Sequence, residues 1–276
     1  MRMLRELPLT LRAAAVCLIH HRYLVWQLTL RDVASRYRGS AMGFLWTLIL
    51  PVLMLAVYTY IFGVVFRSRW PGLPLQDPLE FALVLFAGLS VHMLFADCLN
   101  RAPAIVVGQP NLVKKVVFPL ELLSWSVVGA ALFHAGISIL VLLAFELWLT
   151  GGLPWTAVLA PLVLLAMVPA LLGLCWFFSS LGVFVRDIGQ LMNVAVTVIL
   201  FTAPIFYPAE AAPEAIRPYL VFNPLTVPVE AFRMVAIYGR LPDWPVLGLY
   251  VAIGLVIATL GHYWFTRTRR AFADIM

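Results

Sequence analysis

Charge is scarce along this chain. Asp, Glu, Lys and Arg make up 12% of its 276 residues, against about 25% in soluble globular proteins. Between Ala41 and Phe66, 26 consecutive residues carry none. Cysteine is limited to Cys17, Cys98 and Cys175, which fall inside the apolar runs or on one side of them, so no disulfide framework is implied. Signatures of catalysis are missing as well: no G-x-x-x-x-G-K-S/T, no G-x-S-x-G, no H-E-x-x-H and no C-x-x-C. The nearest approach to a phosphate loop, Gly108-Gln109-Pro110-Asn111-Leu112-Val113-Lys114, lacks the second Gly and the Ser/Thr, and no strand precedes it. It is not a nucleotide site. A membrane-embedded enzyme would show a carboxylate or His cluster at one membrane face, and none is visible, so neither a catalytic residue nor a metal ligand is assigned.

What the chain has instead is apolar length. Hydrophobic residues account for 63% of it, and the mean hydropathy is +0.97. The run 41–66 reaches roughly 39 Å as a helix, more than the ~30 Å of a hydrocarbon core. Six windows read as spans, near 41–66, 81–99, 120–149, 155–181, 188–207 and 245–265. Each is helical, because backbone groups in lipid must pair within their own segment, and no ten-residue alternation of a barrel is present. The expectation is an all-α polytopic protein forming one membrane domain over 1–276. Residues 1–40 are its cytoplasmic interface segment, 41–265 the six-helix part and 266–276 a cytoplasmic tail. The fifth window is short, ends in Pro204 and Pro208, and leads into a Pro-rich stretch to Asp243 that is too polar to span.

Basic residues orient the chain. Arg2, Arg5, Arg12, Arg22, Arg31, Arg36, Arg38, Arg101, Lys114, Lys115, Arg186, Arg267, Arg269 and Arg270 fall on one side, and Arg67, Arg69, Arg217, Arg233 and Arg240 on the other. The richer side is the cytoplasmic one, which puts both termini inside. The net charge of +6 is mostly this bias, so nucleic acid is not expected as a partner. Charges before Ala41 interrupt any apolar signal core, and the N-terminal segment is expected to stay. Leu9, Ala13, Val16, Cys17, His20, Leu24 and Leu28 recur at helical spacing, with Arg12, Arg22 and Arg31 for a polar side. That pattern reads as an amphipathic helix on the cytoplasmic membrane surface.

Few ionisable groups enter the spans. His92 and His134 lie near mid-membrane, Asp97 near the cytoplasmic end of the second span and Glu146 near the outer end of the third. The histidines read as neutral, hydrogen-bonded packing groups, because a proton relay would add carboxylates beside them. Aromatics gather as Trp46, Tyr58, Tyr60 and Phe62 on the first span, and Phe201, Phe206 and Tyr207 at the end of the fifth. An interfacial belt accounts well for Trp70, Trp155 and Trp244. Inward rings on the first and fifth spans would instead offer stacking faces for sugars, and both readings stand.

Arg36-Tyr37-Arg38-Gly39-Ser40, followed by Gly43, Trp46 and Pro51, resembles the membrane subunit of type 2 ABC exporters, particularly those for O-antigen, capsular polysaccharide and teichoic acid. Further stretches match in order: Asn111-Leu112-Val113-Lys114-Lys115 with Phe118-Pro119, Arg186-Asp187, Pro204-Ile205-Phe206-Tyr207, Asn223-Pro224-Leu225-Thr226 with Glu230-Ala231-Phe232-Arg233, and Phe272-Ala273-Asp274. The resemblance covers nearly the whole chain.

It implies a permease without its own ATPase, working as a homodimer in the cytoplasmic (inner) membrane with two copies of a separate nucleotide-binding subunit, which uses ATP and Mg. This chain binds no cofactor in that scheme. Its substrate is a polyprenyl-diphosphate-linked surface polysaccharide of O-antigen or capsule type; the alternative is a small hydrophobic drug or antibiotic. Gln109, Pro110, Asn111, Lys114 and Lys115 would meet the ATPase subunit. Trp46, Tyr58, Phe62, Phe201, Phe206 and Tyr207 would line the pathway. Re-entrant helices before the last span would close its outer end, with Glu230 and Arg233 three residues apart and able to pair. Arg36 and Arg38 sit at headgroup depth beside glycines, where they would grip the diphosphate or, equally, anchor to anionic membrane lipid. Gly39 and Gly43 form a small-xxx-small pair suited to close helix approach.

Overall fold

A computed structural model describes residues 14–65, 78–114, 118–214 and 217–275. These are helix, turn and loop, with no strand among them. Lys115, Arg67, Arg69, Trp70 and the N-terminal Leu9, Arg12 and Ala13 lie outside the described residues.

Residues 14–20 are helical and pass through a turn at His21 into α1 (Arg22–Ser35). Of the expected stripe only Leu28 is buried, on a face it shares with Thr29 and Val33 that packs on α6 (Glu121–Thr150), whereas Val16 and His20 are exposed. A second stripe, Val16, Ile19, Tyr23, Trp26 and Leu30, points outward and is largely exposed. Its alternating spacing of three and four residues makes one continuous apolar seam. The helix thus has two apolar faces, one satisfied by the protein.

Among the described residues, five helical segments are long and apolar enough to cross a membrane: Gly43–Phe62, Leu79–Arg101, Glu121–Thr150, Trp155–Phe184 and Trp244–Ile275. The first contains α2 (Trp46–Tyr58), which carries an internal Pro51 and continues as a wider helical turn over Thr59–Val65. The second is α3 (Pro78–Arg101), the most enclosed, with 78% of its apolar window buried. After it come two short helices, α4 (Ala104–Val107) and α5 (Pro110–Lys114), then α6. The fourth segment carries α7 (Ala160–Phe184). The expected span 188–207 is a 15-residue apolar helix, α8 (Ile188–Thr202). At about 22 Å it falls short of a hydrocarbon core, because Pro204 stops it. The last elements are α9 (Thr226–Ala236), α10 (Trp244–Thr268) and α11 (Phe272–Ile275).

Apolar faces alone do not register helices in lipid; small residues do. A Cβ placed on Gly261 of α10 would come within 2.0 Å of the Gly173 carbonyl oxygen on α7. Those two backbones touch, and α10 packs along much of the length of α7. By contrast, α2 and α10 have only 17% and 22% of their apolar windows buried, which leaves broad apolar surface outside.

Candidate functional site

The chain leaves α1 through an elbow. Gly39 and Gly43 adopt φ of 85° and 50°, a left-handed conformation that other residues resist. A Cβ on either would meet nothing within 4 Å, so these glycines turn the chain and are not points of close helix approach. That corrects the small-xxx-small reading. Trp46 Nε1 donates to Ser40 Oγ at 3.0 Å and fixes the exit into α2.

The elbow presents its two arginines unequally. Arg36 Nη2 donates to both carboxylate oxygens of Asp97 on α3. Arg38 is exposed, with no hydrogen bond or ion pair among the described residues. One turn beyond Asp97, Arg101 Nη2 donates to Asp32 Oδ1 and Oδ2 at 2.6 and 2.7 Å, tying α3 to α1. Tyr37 Oη lies 3.4 Å from His134 Nδ1, and burial pushes the Tyr37 phenol up. His134 therefore belongs to the elbow, and its Nε2 has no partner, as is also true of His92 Nε2. The expectation of hydrogen-bonded packing histidines is met at His134 through Nδ1, while Nε2 of each ring is left over. A cavity of about 230 Å3 lies beneath, walled by Arg36, Trp46, Asp97 and His134 among others. Sequence reading noted Asp97 but did not pair it. Its position four residues before Arg101 signals only a pair within α3, which stands at 3.9 Å, and nothing in the sequence points to Arg36.

Just past the elbow end of α3, α5 exposes Pro110, Asn111 and Lys114, while Leu112 and Val113 are half-buried and Gln109 accepts the first backbone bonds. α11 lies against α5, anchored by the fully buried Phe272. Arg269 Nη1 donates to Glu121 Oε2 at 3.2 Å. A groove of about 630 Å3 opens here between Leu112, Phe118, Arg269 and Arg270.

At the opposite end, Arg233 is wholly buried. Its Nη1 pairs with Glu230 Oε1 at 3.3 Å, as their spacing suggested. It also donates to carbonyls: Nε to Val84 at 3.1 Å, Nη1 to Pro204 at 2.6 Å and Nη2 to Ile205 at 2.7 Å. Asn223 Nδ2 adds bonds to the Ile199 carbonyl and Thr202 Oγ1 at 3.0 and 2.9 Å. The broken end of α8 is satisfied by these side chains, as buried carbonyls require.

Three of the expected pathway rings come together there. Phe201 and Phe206 stack at 5.6 Å, and Phe62 approaches Phe206 at 6.2 Å and Phe81 at 5.7 Å. Tyr207 Oη donates to the Thr202 carbonyl, and Tyr58 packs half-buried on the core. Trp46 stands apart, at the elbow. Trp155 and Trp244 are exposed, 70% and 45%.

Residues 23–237 match the model of the ABC-2 type transporter membrane family. The chain belongs to that family. Its ABC-2 relatives include an O-antigen export system permease protein RfbA of Myxococcus xanthus, 28% identical over 93% of this chain and 96% of the relative. A protein of the same name from Klebsiella pneumoniae is 25% identical over 90% and 93%. The polysialic acid transport protein KpsM of Escherichia coli is 22% identical over 85% and 89%. As an ABC-2 permease, the chain is a multi-pass membrane transport subunit.

Proposed function

We propose that this chain is the permease subunit of an ATP-driven exporter that moves a polyprenyl-diphosphate-linked surface polysaccharide across the cytoplasmic membrane. The observation that carries this reading is similarity over nearly the whole chain to permeases named for O-antigen and polysaccharide transport. The same similarity favours a polysaccharide over a small hydrophobic drug.

In this reading α8 and the turn after it make the sixth crossing, and residues 217–222 with α9 dip into the outer leaflet as re-entrant helices. Both termini are cytoplasmic. The outward seam of Val16, Ile19, Tyr23, Trp26 and Leu30 lies in the membrane interface, which suits its exposed apolar side chains. Two copies assemble through apolar surface such as that left on α2. Each copy docks one ATPase subunit, which supplies ATP and Mg, on Gln109, Pro110, Asn111, Lys114 and Lys115. The exposure of Pro110, Asn111 and Lys114, beside the groove between Leu112, Phe118, Arg269 and Arg270, supports that docking surface. Arg36 and Arg38 receive the diphosphate at the elbow, and Phe62, Phe201 and Phe206 lead the glycan outward past the Glu230–Arg233 pair.

Deleting the gene tests the whole reading. Surface polysaccharide should disappear while lipid-linked glycan accumulates inside the cell. Normal surface polysaccharide with the gene absent would refute it.

A further inference from the structure

The elbow poses a chemical problem for any anion that would use it: Arg36 already holds a carboxylate. We propose that Asp97 is a specificity-determining residue, an internal anion that occupies Arg36 between cycles and yields it only to a ligand of higher charge. The inference rests on the diphosphate reading of the elbow.

The guanidinium nitrogen Nη2 that meets both carboxylate oxygens can donate to phosphate oxygens in their place. The Arg36 and Asp97 side chains are 30% and 21% exposed, so an anion from the headgroup region reaches them. The membrane surface is crowded with lipids whose phosphodiester group carries one negative charge. Such a headgroup brings no more charge than the carboxylate it must displace. A lipid diphosphate brings more, and it meets two guanidinium groups, Arg36 and the exposed Arg38. The internal carboxylate thus screens out the abundant wrong ligand, a repulsive device that costs little against the right one.

Displacement needs somewhere for Asp97 to go. Its Oδ2 already lies 3.9 Å from Arg101 Nη1. That nitrogen is buried and has no hydrogen-bond partner, because Asp32 is held by Nη2 alone. Asp97 therefore leaves Arg36 for a waiting donor one helical turn along its own helix. The cavity of about 230 Å3 beside it leaves room for the side chain to turn. Arg101 is the last residue of α3, and α4 and α5 follow directly. The exchange thus ties an occupied elbow to the segment proposed to meet the ATPase.

The test titrates the purified full-length permease in detergent with a short-chain polyprenyl diphosphate and, separately, with phosphatidylglycerol, counting bound lipid by native mass spectrometry. Wild type should prefer the diphosphate. Asp97→Asn, which keeps shape but loses charge, should bind phosphatidylglycerol about fivefold more tightly, the scale of one partly exposed ion pair, and so narrow the preference. Asp97→Glu restores the charge and should restore the preference, which separates this role from a fold defect. Arg101→Gln removes the waiting donor and should weaken diphosphate binding with little effect on phosphatidylglycerol. An unchanged preference in Asp97→Asn, with loss of diphosphate binding in Arg36→Gln/Arg38→Gln, would overturn the exchange and leave the diphosphate reading standing. Full diphosphate binding in that double variant would overturn both.

Discussion

A side chain at Gly88 would place its Cβ 2.9 Å from Nη2 of Arg233, so the absence of a side chain on α3 is what admits the guanidinium. Arg233 in turn satisfies the Pro204 and Ile205 carbonyls and one carbonyl of α3 itself. Two residues 145 positions apart, 233 less 88, therefore secure the place where α8 ends.

Gly88→Ala should destabilise the protein, because Arg233 Nη2 would have to move and is held to the Ile205 carbonyl at 2.7 Å. A loss of about 1–3 kcal/mol is expected from overpacking. Arg233→Ala should cost more, because each buried carbonyl left unpaired costs about 1–3 kcal/mol. Thermal unfolding in detergent measures both, and equal melting temperatures for wild type and Gly88→Ala would show that the contact is slack.

Gly261→Leu should prevent α10 from seating on α7, since even a Cβ there would lie 2.0 Å from a carbonyl oxygen. The expected result is loss of folded protein in the membrane, read as monodisperse yield after extraction. Gly136→Leu, on a site where a Cβ meets nothing within 4 Å, serves as the tolerated control.

Asn111→Glu and Lys114→Glu change exposed residues of α5 and should leave insertion and yield intact. Co-purification of the ATPase subunit should fall several-fold, and the permease alone should hydrolyse no ATP. Robust turnover by the isolated chain would contradict the assignment of the motor to a partner.

Phe62→Ala and Phe201→Ala remove members of one ring cluster and should slow polymer export or shorten the exported chains. Trp155→Ala and Trp244→Ala, on exposed rings at span ends, should do so less. The measurement is glycan length on gels at matched protein levels. Equal damage from both pairs would end the case for a glycan path along the rings.

The transport class, the helical architecture and the position of the apolar segments were legible in the sequence because each follows from local chemistry. Uncharged runs must be helical in lipid, and a pair three residues apart, Glu230 and Arg233, must share a helix face. The shortness of the segment before Pro204 was legible for the same reason. Hydropathy sums, however, carry no information on which side chain meets which across the bundle. The joining of Arg36 to Asp97 and of Asp32 to Arg101, 61 and 69 residues apart, was settled only when α1, α3 and the elbow packed together. So was the use of Gly39 and Gly43 as turn residues, since a small residue looks alike in sequence whether it admits a neighbouring helix or a positive φ. Which of the two it serves depends on whether anything packs there, and that is a property of the assembled helices alone.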